Sequence, residues 1–286
     1  MRLLRVGPSG AERPAVLVDD ETALDVSGVV DDFGPVFFAA DGLARLERAL
    51  ERDENELPRI ALADQRIGAP IARPHKVLCI GLNYSDHARE SAMAVPEEPV
   101  VFGKTTNTVV GPYDDIYLPR NAQKVDFEVE LGVVIGAEGR YLPDRDAASA
   151  VIAGYCVSHD VSERSFQLER GGQWIKGKSC ETFNPLGPWL VTPDELPDVQ
   201  DLKLTLRLNG APQQQGSTAL MIFDVPHLVW YLSQFFVLEP GDLINTGTPA
   251  GVGAGQDPPR FLNDGDVVEL EISGLGLQRQ TCRPAP

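Results

Sequence analysis

Short apolar runs rich in β-branched residues, separated by glycine and proline turns, dominate the chain from residue 76 onward. Such runs predict strands, because branched side chains suit a pleated surface while glycine and proline suit the turns between strands. The Asn209-Gly210 pair follows an alternating run, which is a strong signal for a β-hairpin. The predicted strands cover residues 76–81, 126–135, 151–158, 202–208, 243–245 and 267–272.

Helical patterns are few, and they do not alternate with the predicted strands as they would in a doubly wound sheet. The clearest helix is predicted over residues 225–236, with Asp224 as its N-cap and Pro226 in its first turn. We therefore predict a mostly β main domain with some α, built on a mixed sheet, over residues 71–286. Residues 1–70 carry three short strand patterns and one helical pattern, which predict a separate, small N-terminal α+β domain.

Charge and composition exclude several classes of protein. The formal net charge of −17 over 286 residues argues against binding to nucleic acid or to an anionic membrane, because both need basic surface. No run approaches the roughly 20 apolar residues of a membrane helix, and residues 1–14 lack a signal-peptide core, so we expect a cytoplasmic protein. Wide spacing predicts buried, reduced thiols, rather than a zinc site or disulfides, for Cys79, Cys156, Cys180 and Cys282.

Acidic residues alternate with apolar ones at the start of the run 126–136. In a strand, Asp126, Glu128 and Glu130 share one face. A solvated strand face is one explanation. Against it, the run continues into apolar residues 133–135, and no lysine or arginine alternates with the acids. Carboxylates crowded at the mouth of a buried strand need a cation, and hard oxygen ligands favour Mg²⁺, Mn²⁺ or Ca²⁺.

Asp160 follows the next predicted buried strand and could complete a set of three carboxylate ligands with Glu128 and Glu130. An acid at the end of one strand can meet ligands from a neighbouring strand of the same sheet. Asp160 could equally cap the segment 161–164 that follows it. From the residues alone, both roles stay open.

Six segments of this chain resemble the fumarylacetoacetate hydrolase family, and they follow one another in the family's order from about residue 75 to residue 280. An ordered set of this kind is far more specific than a lone Glu-x-Glu pair. The resemblance implies the mixed β-sheet roll of the family's C-terminal type. The segments are GLNYSDHARE (81–90), DFEVELGVVIG (126–136), HDVSER (159–164), GKSCETFNPLGP (177–188), NTGTPAGVG (245–253) and LNDGD (262–266).

The resemblance also implies roles for individual residues. Glu128, Glu130 and Asp160 match the family's metal ligands, which implies a Mg²⁺ or Mn²⁺ cofactor. His87 and Glu90 match an HxxE pair that serves as general base, on a mobile lid that becomes helical when substrate binds. The other matches are a catalytic lysine that contacts substrate oxygens, Lys178, and three substrate-binding residues, Arg164, Gln167 and Thr248.

The chain departs from the family pattern at three places. Lys104-Thr105 stands where Lys-Pro is frequent, His159 where asparagine or another residue is common, and Cys180-Glu181 where Phe-Asp is frequent. These departures leave the three metal-binding carboxylates intact and affect only the expected substrate contacts.

The activity that the resemblance implies is hydrolysis of a C–C bond in a small 2,4-dioxo acid. The substrate would be an acylpyruvate or a 2,4-dioxo-3-deoxy sugar acid, and the products a 2-oxo acid such as pyruvate and a carboxylic acid. The family also suggests oxaloacetate decarboxylase or ureidoglycolate lyase-like activity, and a homodimer. A metal-stabilised binding scaffold is the non-enzymatic alternative, but a scaffold would not need His87, Glu90 and Lys178 together.

Overall fold

Strands dominate the structure, a computed structural model that describes residues 1–90 and 95–286. In chain order the strands are β1 Arg2–Val6, β2 Arg13–Asp19, β3 Thr22–Asp25, β4 Arg59–Ala61, β5 Ile67–Gly68, β6 Val77–Gly81, β7 Val100–Lys104, β8 Val109–Val110, β9 Ile116–Leu118, β10 Val125–Asp126, β11 Val129–Ile135, β12 Ile152–His159, β13 Ser162–Glu163, β14 Asn184–Pro185, β15 Leu190–Val191, β16 Lys203–Leu208, β17 Ala211–Ser217, β18 Leu243–Asn245, β19 Val267–Ile272 and β20 Gly276–Pro284.

Helices are short and lie between these strands. They are α1 Pro35–Ala39, α2 Gly42–Asp53, α3 Ser85–Glu90, α4 Arg145–Ala150, α5 Arg164–Leu168, α6 Ile175–Lys178 and α7 Val225–Ser233. Single 3₁₀ turns cover Glu54–Glu56, Thr106–Thr108, Pro193–Glu195, Val199–Asp201, Thr218–Leu220 and Gly253–Gly255. Within residues 1–90 and 95–286, no helix has both the length and the apolar character needed to cross a membrane.

Eleven of the described strands form one mixed sheet in the order β4-β3-β2-β1-β15-β12-β11-β18-β6-β7, with β5 beside β1. β18 and β6 are parallel, whereas β11 is antiparallel to both β12 and β18. A second sheet has the order β17-β16-β19-β20-β9. The fold is therefore mostly β with mixed sheets and few helices, as the sequence predicts. The core between the sheets contains Leu131, Val133, Val157, Leu204, Leu206, Val268 and Leu270.

The N-terminal strands join the same sheet as the main strands. β1 pairs with β15, so that Arg2 lies opposite Val191 and Leu3 opposite Leu190. β1 pairs with β2 on its opposite edge, and β5 pairs with Arg5 and Val6 on the same edge of β1 as β15. The division of the chain near residue 70 stays a prediction.

Several local predictions are confirmed. β19 has the predicted bounds, and the hairpin of β16 and β17 turns at Asn209 and Gly210, whose φ angles are 52° and 80°. α7 begins where predicted, because the Asp224 carboxylate accepts a hydrogen bond from His227 N. The four cysteines are free, and all but the half-buried Cys180 are fully buried.

The continuous strand predicted over residues 126–135 is wrong, because β10 ends at Asp126 and β11 begins at Val129. A side chain takes the place of the interstrand hydrogen bond at this break, since Gln214 Oε1 accepts from Val129 N at 2.9 Å. Within the break, the backbone at Glu128 is held by a hydrogen bond that Asp160 N donates to Glu128 O at 3.0 Å. The break therefore lies within the segment that carries the predicted metal ligands.

Close packing of β12 and β15 generates a stability prediction. A Cβ on Gly154 would lie 2.5 Å from Val191 O, whereas the nearest atom to a Cβ on Gly103 in β7 is Val77 O at 3.5 Å. Gly154→Ala should lower the free energy of unfolding by roughly 1–3 kcal/mol through overpacking. Gly103→Ala, the matched control, should change it by less than about 0.5 kcal/mol. Urea unfolding followed by tryptophan fluorescence measures both, and equal midpoints would refute the packing argument.

Candidate active site

Three carboxylates meet at the end of the β11–β12 pair. Glu130 lies in β11 opposite Ser158 of β12, Glu128 directly precedes β11, and Asp160 directly follows β12. The antiparallel register therefore brings Glu128, Glu130 and Asp160 together, with one oxygen from each within 4.8 Å of the others. All three side chains are buried. Among the described residues, this is the group of acids arranged to hold a metal ion.

Cationic side chains accompany two of the three carboxylates. Lys178 Nζ lies 2.8 Å from Glu128 Oε2 and 2.7 Å from Asp160 Oδ2. Lys104 Nζ donates to Asp160 Oδ1, and Arg164 donates to Glu128 Oε1 at 2.7 Å. Burial opposes ionisation of Glu128, but the charges of Lys178 and Arg164 outweigh it and hold its pKa well below the usual range. Burial likewise opposes the charge on Lys178, yet Asp160 and Glu128 raise its pKa.

Glu130 has no cationic partner of this kind in the described part of the chain. Its carboxylate accepts a hydrogen bond from Gly247 N at 2.9 Å. Burial, reinforced by the charges of Asp160 and Glu128, raises the pKa of Glu130 well above its usual range. A divalent cation would relieve this repulsion, and the donors present are the hard oxygens that Mg²⁺ and Mn²⁺ prefer. The residues therefore fit such an ion.

Asp126 is separate from the three carboxylates, although alternation along a strand would place it on their face. Its carboxylate accepts hydrogen bonds from Gly253 N at 2.7 Å and Ala254 N at 3.0 Å. It also accepts from Arg164 Nε at 2.8 Å. Asp126 thus fixes the glycine-rich loop, residues 247–255, and holds the Arg164 guanidinium that reaches Glu128.

The His87–Glu90 pair lies on α3, as the i, i+3 spacing predicts. His87 Nδ1 is 3.1 Å from Glu90 Oε2, and Glu90 Oε1 accepts a hydrogen bond from Gly251 N at 2.9 Å. The glycine-rich loop therefore orients the carboxylate, which in turn orients the imidazole. The residues that follow α3, 91–94, lie outside the described residues, and the mobility of this lid stays a prediction.

These groups face one cavity of about 410 Å³. Asp160 lies behind the cavity wall, in contact with Lys178. Thr248 reaches the cavity, but its hydroxyl already donates to Val129 O and accepts from Gln214 Nε2. The lining brings together the other predicted site residues, namely His87, Glu90, Glu128, Glu130, Arg164, Gln167, Thr248 and Lys178.

Two site residues were missed by the sequence reasoning. Lys104 is fully buried against Asp160. The sequence feature that could have pointed to it is its position at the end of the apolar run 100–103. Gln214 ties β11 to the glycine-rich loop through Val129 N and Pro249 O. It lies among three consecutive glutamines, and nothing in that pattern singles out the middle one.

His159, one of the departures from the family pattern, is a buried neutral histidine. Burial lowers its pKa to about 3. Its Nδ1 lies 3.0 Å from Gln280 Oε1, and its Nε2 has no hydrogen-bond partner within the described residues. His159 therefore packs behind the carboxylates and does not face the cavity.

Most of the chain matches one known protein family. Residues 76–283 match the family described as fumarylacetoacetate (FAA) hydrolase C-terminal. The chain belongs to the fumarylacetoacetate hydrolase family. The matched region contains every residue of the site described above.

The relatives and solved structures described next align with this chain over its whole length. A Burkholderia multivorans protein provisionally named a hydrolase is 51% identical, over 100% of both chains. The solved structure of fumarylacetoacetate hydrolase from Exiguobacterium antarcticum is similar over 100% of both chains, with 36% identity and a TM-score of 0.85. Maleylpyruvate hydrolase from Sphingobium sp. SYK-6, in complex with manganese(II) and pyruvate, has 27% identity and a TM-score of 0.84 over 100% of both chains.

Glu130 has no cationic partner among the described residues, and this leads to a prediction about metal binding. The wild-type protein should bind one Mn²⁺ per chain, and Glu130→Gln should weaken the affinity by roughly 100-fold or more. The glutamine can still accept from Gly247 N, so the local fold should persist. Glu90→Gln is the matched control, because Glu90 lines the same cavity outside the carboxylate cluster.

Isothermal titration calorimetry on EDTA-stripped protein measures these affinities without any assumption about the reaction. Glu90→Gln should bind Mn²⁺ as the wild type does. Equal weakening in both variants, or no binding by the wild type, would mean that the three carboxylates are not the metal site.

Proposed function

We propose that this protein is a Mg²⁺- or Mn²⁺-dependent hydrolase that cleaves the C–C bond between carbons 3 and 4 of a 2,4-dioxo acid. The observation that carries the proposal is that two sets of reactive side chains line one cavity. One is the buried acidic pair of Glu128 and Glu130 with its lysine, Lys178, and with Asp160 behind them. The other is an oriented histidine, His87, with the chemistry of a general base.

Glu128, Glu130 and Asp160 would hold the ion. When bound there, a divalent cation supplies Lewis acidity, which favours negative charge on the carbonyl oxygens of a 2-oxo acid. Lys178 adds a buried, charged N–H donor beside the same carboxylates. Its amine would donate to a substrate oxygen on which charge develops, and the low dielectric of the site strengthens that interaction.

His87 would activate the water. Because Nδ1 faces Glu90, Nε2 is left to accept a proton from a water molecule in the cavity. The resulting hydroxyl adds to carbon 4, and the bond between carbons 3 and 4 breaks with its electron pair left on carbon 3. The proton held by His87 then returns to carbon 3. The products are a carboxylic acid and a 2-oxo acid, and one water is consumed.

Two findings from related proteins support this proposal. The Sphingobium maleylpyruvate hydrolase was crystallised with manganese(II) and pyruvate, which are an ion and a product of the kinds proposed here. The Burkholderia multivorans relative also carries the provisional name of a hydrolase. By the same family resemblance we propose a homodimer and a cytoplasmic location, which sedimentation and cell fractionation test.

A comparison of two reactions tests the role of His87. Hydrolysis of a 2,4-dioxo acid needs a base to activate water, whereas decarboxylation of oxaloacetate does not, because no nucleophile has to be generated. His87→Ala should therefore lower acylpyruvate hydrolysis by roughly 100-fold or more and leave any oxaloacetate decarboxylation nearly intact. Lys178→Ala should lower both, since both reactions develop charge on an enolate oxygen.

Pyruvate release, measured with added Mn²⁺, serves as the common readout for both substrates. An equal loss of both activities in His87→Ala would show that His87 holds substrate or α3 in place and is not the base. Full turnover by the EDTA-stripped wild type would show that the reaction does not need the ion.

A further inference from the structure

We infer that the acyl side of the substrate is apolar and carries no second carboxylate. The inference rests on the proposed function and narrows it to 2,4-dioxo acids with an alkyl or aryl group beyond carbon 4. It depends on which charges line the cavity and on the apolar side chains that form one of its walls.

Each basic side chain in the described lining of the cavity is already paired with a carboxylate. Lys178 contacts Glu128 and, behind the wall, Asp160. The imidazole of His87 faces Glu90. These two side chains are therefore committed to groups that the proposed reaction uses.

Arg164 is the third basic side chain in the lining, and it is equally committed. Its guanidinium contacts Asp126 and Glu128, both at 2.8 Å or less, and its Nη1 donates to Gln167 Oε1 at 3.1 Å. A substrate carboxylate would have to compete with two protein carboxylates for this group. The sequence of residues 91–94, Ser-Ala-Met-Ala, adds no cation next to α3.

The outer wall of the cavity is apolar. Phe102 and Trp174 pack edge to face with ring centroids 5.2 Å apart, and Lys178 Nζ lies 5.0 Å from the Phe102 ring centroid. The aromatic pair thus lies beside the catalytic lysine. Leu168 and Val252 are further apolar residues of the lining, and Leu168, which is 59% exposed, lies at the cavity mouth.

Two polar groups of the lining that could bind the hydroxyls of a sugar acid already have protein partners. Thr248 donates its proton to Val129 O, and the Gln167 carbonyl accepts from Arg164. Of the two substrate types that the family resemblance suggests, an acylpyruvate with an apolar acyl group therefore fits better than a 2,4-dioxo-3-deoxy sugar acid.

A charged acyl end is disfavoured for a physical reason. A carboxylate that leaves water for an apolar wall loses hydration and gains no partner. An apolar group of the same size loses little and gains burial. The difference should appear as a preference in kcat/KM of roughly 100-fold.

A pair of nearly isosteric substrates tests this preference. In 2,4-dioxoheptanedioate the acyl chain ends in a carboxylate, and in 7-methyl-2,4-dioxooctanoate an isopropyl group replaces it. With Mn²⁺ present, kcat/KM for the isopropyl compound should be roughly 100-fold higher. Equal values, or a higher value for the dicarboxylate, would overturn the inference and leave the proposed hydrolysis intact.

Two substitutions at the cavity mouth sharpen the test. Leu168→Arg places a cation on the apolar wall, and Leu168→Gln, the reference for it, makes the same position polar without charge. Relative to Leu168→Gln, Leu168→Arg should raise kcat/KM for the dicarboxylate by roughly 10-fold and lower it for the isopropyl compound. A rise for neither substrate would contradict the placement of the acyl chain along this wall.

A binding measurement separates failure of this inference from failure of the proposed function. If neither dioxo acid is hydrolysed, the proposed hydrolysis is wrong, and calorimetry with two 2-oxo acids then decides the inference alone. Tighter binding of 7-methyl-2-oxooctanoate than of 2-oxoheptanedioate supports the apolar acyl site. Equal binding of the two, or tighter binding of the dicarboxylate, overturns it.

Discussion

The structure depends on a set of opposed charges that are largely shielded from solvent at the end of the β11–β12 pair. Ions removed from water are tolerated only when partners replace the lost hydration. Four carboxylates share three cationic side chains here, so one carboxylate, Glu130, is left with a backbone donor, Gly247 N. That imbalance favours a bound divalent cation. The group consists of Asp126, Glu128, Glu130 and Asp160 with Lys104, Arg164 and Lys178.

The two sheets and the glycine-rich loop position this group. The antiparallel register of β11 and β12 sets Glu130 opposite Ser158, and the strand break at 127–128 is closed by the Gln214 side chain. The loop then serves both halves of the site, because Gly247 N bonds Glu130 and Gly251 N bonds Glu90. A change in this loop would therefore disturb the cation site and the proposed base together.

Much of the site can be predicted from sequence, for a physical reason. Acids that alternate along a strand and lead into a fully apolar run cannot all be solvated, so Glu128 and Glu130 are conspicuous in the sequence alone. Lys104 and Gln214 are not conspicuous, because their roles come from contacts across the sheets with Asp160 and Val129. The strand break is hidden for the same reason, since a distant glutamine supplies the missing hydrogen bond.

Anomalous diffraction from crystals grown with Mn²⁺ and pyruvate tests the central claim most directly, because it locates the ion without reference to activity. The account predicts a Mn²⁺ peak among the carboxylate oxygens of Glu128, Glu130 and Asp160, with pyruvate beside it in the cavity. It also predicts that the Lys178 amine turns from these carboxylates toward a pyruvate oxygen. A peak elsewhere, or no peak with Lys178 still bridging Glu128 and Asp160, would contradict it.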